Sequence, residues 1–232
     1  MKNVIAAAIA LTTAAGLANA GVVFSGTGNN PEVNANASGT ADFSLSGDIL
    51  TVVLTNTTSP RTAAQGNALT GVTFDVTGAN PGLDLTSTAL GGSLLWTSKT
   101  ASTSSANING SWTDVLGASP LGEFGAASTG FAGRFNGGSI SLGNASPNYG
   151  VVAAGTFDGT NVAFGGSQFP FIQGSVTLTF SGATGMDLAK LANVQILFGT
   201  DGTGNITTTK VPAPGSLALL AMAGAVAGRR RR

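Results

Sequence analysis

Residues 41–56 read ADFSLSGDILTVVLTN, and this stretch decides the fold class. Apolar and polar side chains alternate on both sides of the Gly47-Asp48 pair. Period-two alternation is typical of a strand with one buried face, and a Gly-Asp pair between two such runs predicts a tight hairpin in which glycine adopts a positive φ. The residues expected to face the core are Ala41, Phe43, Leu45, Leu50, Val52 and Leu54.

The same period recurs along the chain, which extends the prediction to a whole domain. Alternation at 72–76 and 176–180 predicts two more strands, and 194–198 reads as a closing strand. Weaker patterns predict short strands at 93–98, 107–114, 140–142, 151–156 and 160–164, and one or two helical turns at 186–192. Many short strands between Gly, Ser and Asn turns favour an all-β fold, namely an antiparallel β-sandwich of jelly-roll type. A propeller or β-solenoid is the alternative, and no clean internal repeat supports it.

The composition excludes several catalytic mechanisms and metal sites. The chain has 232 residues, 35 of them glycine, with no cysteine and no histidine. These absences exclude Ser-His-Asp and cysteine-protease mechanisms, zinc bound by imidazole or thiolate, and a disulfide framework.

The first 20 residues have the layout of a Sec-type signal peptide. Lys2 supplies a positive charge, 4–17 is an apolar run, and Ala18 and Ala20 form an A-x-A site before Gly21. The sequence therefore predicts export through the Sec translocon and cleavage by signal peptidase after Ala20.

The last 22 residues contain three elements in a fixed order. The motif Val211, Pro212, Ala213, Pro214, Gly215 is followed by an apolar run at 217–227 and by the arginines Arg229, Arg230, Arg231 and Arg232. A helix over 214–228 is about 22 Å long, shorter than the bilayer core of about 30 Å. The arginines should stay cytoplasmic by the positive-inside rule, which leaves the preceding chain outside.

This order of proline motif, short apolar helix and terminal arginines resembles the PEP-CTERM sorting signal of Gram-negative bacteria. Ala213 stands where the family usually has glutamate. The resemblance implies processing by an exosortase-type membrane protease, a transient inner-membrane anchor, and release to the cell surface or the extracellular space. An anchor that is never cut is the alternative. The stretch 69–78 and the late 198–200 strand also resemble other exosortase-dependent surface proteins.

The predicted organisation is a signal peptide at 1–20, a β-sandwich domain at 21–210 and a sorting signal at 211–232. The middle domain has five basic and ten acidic residues, which gives it a formal charge of −5. A mildly acidic domain without a basic cluster argues against nucleic-acid binding.

Few residues of the middle domain suggest chemistry. Asp75 on a strand and Asp48 in a turn fit solvated structural roles, and none of the acids forms a recognisable catalytic pair. The loops at 157–161 and 201–205 have Asp/Asn spacing but complete no calcium motif, so no metal or other cofactor is predicted. Trp96, Trp112 and Tyr149 are the non-Phe aromatics, and core packing is expected for Trp96.

The sequence therefore predicts a non-enzymatic surface or matrix protein whose Thr/Ser/Asn-rich face contacts exopolysaccharide or its own copies. A carbohydrate-binding or adhesive module with a defined ligand is the first alternative. A carboxylate-dependent extracellular hydrolase is the second.

Overall fold

The computed structural model describes residues 21–31, 34–59, 65–78, 81–114, 121–128, 148–155, 169–200 and 204–211. Strands dominate these residues, so the predicted all-β class is confirmed. The strands are β1 (Val22–Asn30), β2 (Ala35–Ser46), β3 (Ile49–Asn56), β4 (Leu69–Val76), β5 (Asp84–Ala89), β6 (Leu94–Ser98), β7 (Ala101–Thr103), β8 (Thr113–Asp114), β9 (Phe124–Ala127), β10 (Val151–Val152), β11 (Phe171–Gln173), β12 (Ser175–Ser181), β13 (Leu191–Phe198), β14 (Gly204–Thr207) and β15 (Thr209–Val211). Helical structure in the described ranges is limited to two 3₁₀ turns, Gln65–Asn67 and Leu188–Lys190.

Six strands form the first sheet, in the order β15-β1-β2-β3-β12-β5, with every pair antiparallel. The predicted hairpin joins β2 and β3: Ser46 lies opposite Ile49, and Gly47 has a φ of +60°. Burial alternates strictly along β12 and along β3, because one face of this sheet packs on the core and the other faces solvent.

Nine strands form the second sheet. Its main path runs β14-β13-β4-β10-β11-β6-β7, and β9 pairs with both β4 and β8. The pair β10–β11 is parallel, with Val151 opposite Ile172, so the prediction of a purely antiparallel fold is wrong at this pair. Along β4 nearly every residue is buried, since other segments cover both of its faces.

The two sheets share one hydrophobic core built around phenylalanine rings. Phe43 of the six-stranded sheet meets Phe74 of the nine-stranded sheet edge to face, with ring centroids 5.2 Å apart. Phe180 approaches the same Phe74 ring from β12, at 6.4 Å. Such edge-to-face pairs add to the stabilisation that burial of the rings provides.

The last two strands connect the sheets along one side. β14 pairs with β13 in the nine-stranded sheet, and β15 pairs with β1 in the six-stranded sheet. Thr208 lies between them and donates both its backbone N–H and its hydroxyl to the Val194 carbonyl. Gly26 of β1 packs against this corner, where an added Cβ would lie 2.8 Å from Ile206 Cγ2.

Several strand predictions need correction. Of 107–114, only 113–114 is a strand, because the segment before it turns to bury Trp112. Of 151–156, the described part is a strand only over 151–152. The 194–198 strand begins earlier, at Leu191, and does not close the fold, because β14 and β15 follow.

The predicted helices have two different outcomes. The helical turns predicted at 186–192 amount to the single 3₁₀ turn Leu188–Lys190. The strands predicted at 140–142 and 160–164, the signal helix and the C-terminal helix all lie outside the described ranges. In the part of the chain that the structure describes, no helix has the length and apolarity needed to cross a membrane.

Candidate functional site

The solvent face of the six-stranded sheet carries an ordered array of hydroxyl side chains. One row crosses five strands, each member directly opposite the next: Thr209, Ser25, Thr40, Thr55 and Ser175. A second row consists of Ser44, Thr51, Thr179 and Ser87. We call these two rows, with the row between them, the hydroxyl face.

The row between the two hydroxyl rows is mixed. It runs Val211, Val23, Asp42, Val53, Thr177 and Ala89. Neighbouring strands are about 4.8 Å apart, so hydroxyls recur at that interval across the sheet. Each hydroxyl can donate one hydrogen bond and accept two. The face can therefore exchange hydrogen bonds with a neutral, hydroxyl-rich surface without needing charge on either side.

Two carboxylates belong to this region. Partial burial raises the pKa of Asp42 above its ordinary value. At the hairpin end, the hydroxyl of Thr184 donates to Asp48 and lowers the pKa of that carboxyl. A backbone contact also holds the turn predicted at Asp48: the Asp48 carbonyl accepts a hydrogen bond from the Ala183 N–H.

The first and last described strands place Gly21 and Val211, the two ends of the described part of the chain, at one end of the sheet. Val23 of β1 lies opposite Val211 of β15, and Gly21 directly precedes β1. Of the predicted processing residues, Gly21 and Val211 are thus brought to one end of the sheet. The others lie outside the described residues: Ala18, Ala20, Pro212, Ala213, Pro214, Gly215, Arg229, Arg230, Arg231 and Arg232.

A groove of about 400 Å³ opens at the same end. Its lining consists of Val22, Leu45, Met186, Asp187, Leu188, Ala189 and Lys210. Met186 and Leu188 are buried, whereas Asp187, Ala189 and Lys210 are exposed. We call the groove residues, together with Lys190 and Val211, the exit end.

A cluster of buried amides was not predicted from the sequence. Asn56 Nδ2 donates to the carbonyls of Asn67 (2.9 Å) and Val151 (2.8 Å), and its Oδ1 accepts from Thr58 N–H. Asn30 donates to the Gly66 carbonyl, which fastens the 3₁₀ turn to β1. Because asparagine is common in turns, sequence pattern alone gives no signal that these side chains lie between two sheets.

The candidates for catalysis and metal binding remain dispersed. Asp75 accepts hydrogen bonds from Glu123 N–H and from Asn193 Nδ2, which is a structural role. Among the described residues no group of three or more acids is placed to hold a metal ion. Asp158 and Asp201, the acids of the two loops considered for calcium, lie outside those residues.

The aromatic candidates differ from one another in burial. Trp112 is 2 % exposed, so it cannot offer a face to a sugar without unfolding. Trp96 is half-buried, packs against a small cluster that includes Phe171, and donates its indole N–H to Gln173 Oε1 at 2.8 Å. Tyr149 is half-buried and packs against the main core.

The chain matches no protein-family model, and no curated protein or solved structure is significantly similar to it.

Proposed function

We propose that this is an exported surface protein whose body is held at the inner membrane by its C-terminal segment until an exosortase-type protease releases it. The observation that carries the proposal is the antiparallel pairing of β1 with β15, in which Val23 lies opposite Val211. Directly opposed residues of an antiparallel pair have Cα atoms about 5 Å apart.

That pairing fits the topology expected from the two terminal segments. A signal peptide enters with its N-terminus in the cytoplasm, and the terminal arginines keep the other end there. Before processing, both membrane segments must therefore approach the body from the same side. Because β1 and β15, the first and last described strands, are paired at that point, the body can be reached by both segments from the same side.

For the body we propose a non-catalytic role carried by the hydroxyl face. Its Ser and Thr rows suit hydrogen bonding to a neutral polyhydroxylated polymer such as an exopolysaccharide. The two-sheet architecture fits a sandwich of jelly-roll type, a scaffold on which a broad flat face can be displayed.

The sorting proposal is tested by replacing Pro212 and Pro214 with alanine in the native host. An internal tag between Ser104 and Ser105, which are both exposed, follows the chain without touching either terminus. The variant should accumulate as an inner-membrane precursor, whereas a matched Pro31→Ala change in an exposed turn should leave release unchanged. Normal release of the double variant, or release independent of the host's exosortase, refutes the proposal.

The role of the body is tested by glycan-array binding of the released protein. Binding that is broad across neutral polysaccharides and weakened by Thr51→Ala with Thr179→Ala supports the hydroxyl face. Saturable binding to one sugar that is lost in Trp96→Ala, with folding intact, supports the alternative module with a defined ligand. Hydrolysis that depends on one carboxylate overturns both readings.

A further inference from the structure

The distance between the body and the membrane is set by a short piece of chain. β15 ends at Val211, and the predicted apolar run begins at Leu217. Six extended steps between those two Cα atoms span at most about 21 Å. The polar layer on each side of a bilayer is about 5–7 Å thick. If the C-terminal segment spans the membrane, as proposed above, the exit end therefore remains within reach of the headgroups throughout the anchored stage.

The exit end has the side chains that such a position favours. Val22 and Leu45 are partly exposed, and Val211 is 38 % exposed. Lys190 and Lys210 are both exposed here, where an ammonium can reach lipid phosphate while its apolar stem covers the surface.

The opposite end of the sheet is different in character. Asn29 lies seven residues along β1 from Val22, about 24 Å away, and is paired with Asn36 on β2. Asn29, Asn34, Asn36 and Thr57 are all exposed there. These amides and hydroxyls offer neither a cation nor apolar area to a bilayer.

We propose that the exit end is a membrane-contact surface that rests on the anionic headgroup layer while the protein is anchored. The body then stands upright on the membrane, with the exit end below and the Asn-rich end outermost. Release removes the tether and exposes this surface. Three exposed carboxylates lie at this end of the body: Asp187 in the groove, Asp48 in the hairpin turn and Asp84 opposite Ser181. They limit how tightly an anionic surface is bound, so contact depends on the tether.

The test uses single cysteines, because the native chain has none. The full chain is reconstituted in vesicles of phosphatidylcholine and phosphatidylglycerol that contain brominated lipid. An environment-sensitive fluorophore is placed at Ala189→Cys or, as the matched control, at Asn36→Cys. We expect at least twofold stronger quenching at position 189 than at position 36. Lys210→Glu should reduce the quenching, whereas Lys99→Glu, an exposed lysine outside the exit end, should not.

Flotation of the vesicles distinguishes failure of the anchor from failure of the membrane-contact surface. If the chain does not float with them, the anchor itself is refuted. If it floats but positions 189 and 36 are quenched equally, or neither is quenched, the anchor stands and the membrane-contact surface is refuted.

A second, independent contact concerns Gly21. A Cβ added to this glycine would lie 3.1 Å from Asp42 Oδ1, so the Gly21 backbone is close to that carboxylate. The residues opposite Asp42 are Val23 and Val53, and its neighbours along β2 on the same face are Thr40 and Ser44, none of them charged.

The geometry points to a new ion pair formed by maturation: cleavage after Ala20 gives Gly21 an α-ammonium beside the Asp42 carboxylate. This inference rests on the proposed signal cleavage. In the unprocessed chain, partial burial raises the pKa of Asp42. An adjacent ammonium stabilises the ionised carboxylate and moves that pKa down. Signal removal would thereby fasten the start of β1 to β2.

Carboxyl NMR titration tests the pair in two chains whose first residues are verified by mass. In the chain that begins at Gly21, Asp42 should titrate at lower pH than in a chain with one extra residue before Gly21. Asp48, at the hairpin turn, should titrate identically in both chains and serves as the control. Equal Asp42 titration in the two chains refutes the ion pair, and a mass that shows cleavage elsewhere refutes the cleavage prediction instead.

Discussion

The two sheets differ in how clearly the alternation of apolar and polar residues in the sequence predicts them. Along β12 of the six-stranded sheet, burial alternates at every residue, because one face packs on the core and the other meets solvent. Along β4 of the nine-stranded sheet, buried residues run almost without a break. Thr73 of that strand donates its hydroxyl to the Leu121 carbonyl, which shows that another segment covers its outer face. A period of two appears in the sequence only where the two faces of a sheet differ in solvent exposure.

The largest expected effect follows from removing a shared core ring. Phe74→Ala should lower the free energy of unfolding by about 3–5 kcal/mol, because it leaves a cavity between Phe43 and Phe180. Val53→Ala, on the half-exposed face, should lower it by less than about 1 kcal/mol. Urea unfolding of both variants measures the difference, and equal effects would show that the sheets do not share one core.

The next effect compares two glycines. Gly125→Ala should destabilise by about 3 kcal/mol, because its Cβ would lie 2.1 Å from the Val72 carbonyl oxygen inside the covered sheet. Gly47→Ala meets nothing within 4 Å and should lose only about 1–2 kcal/mol for its left-handed φ. Thermal unfolding ranks the two variants, and a larger loss at Gly47 would contradict the contrast between the sheets.

A smaller effect tests the amide link between the sheets. Asn56→Ala leaves the carbonyls of Asn67 and Val151 without this donor, which should lower the free energy of unfolding by about 2 kcal/mol. Asn36→Ala, at an exposed side chain near the same end, is the matched control and should change it by less than about 0.5 kcal/mol. Urea unfolding measures both variants. An unchanged free energy of unfolding in Asn56→Ala would mean that water fully replaces the hydrogen bonds of the amide.

The smallest effect on stability belongs to the hydroxyl face. Thr51→Ala and Thr179→Ala should each change the free energy of unfolding by no more than about 0.5 kcal/mol, since both side chains are partly solvated. Their combination should nevertheless weaken retention on neutral polysaccharide severalfold. Thr97→Ala, exposed in the other sheet, is the control and should leave retention unchanged. Unfolding by the double variant would contradict the assignment of this face to binding.

The sequence allowed prediction of the parts of the fold that depend on local pattern. The hairpin at Gly47 and the inward-facing Leu50, Val52 and Leu54 are confirmed, as is the class. The alternation from Val176 to Phe180 is confirmed as β12.

Long-range pairing was not predictable from the same pattern. The parallel contact of Val151 with Ile172 and the switch of sheet at Thr208 depend on residues far apart in sequence, which carry no local period. The two hydroxyl rows likewise require the register of six strands, although the Ser/Thr content of each strand indicated a polar face. For the terminal segments, the sequence supplies the motifs, and the pairing of β1 with β15 supports the proposal that both segments meet the body at one end.

The most direct test of the account is the intact mass of the protein recovered from the native cell surface. We predict a chain that begins at Gly21 and lacks the run Arg229–Arg232, because the proposed processing removes both terminal segments next to the paired β1 and β15. A steady-state surface protein that retains the signal peptide or the terminal arginines would contradict it.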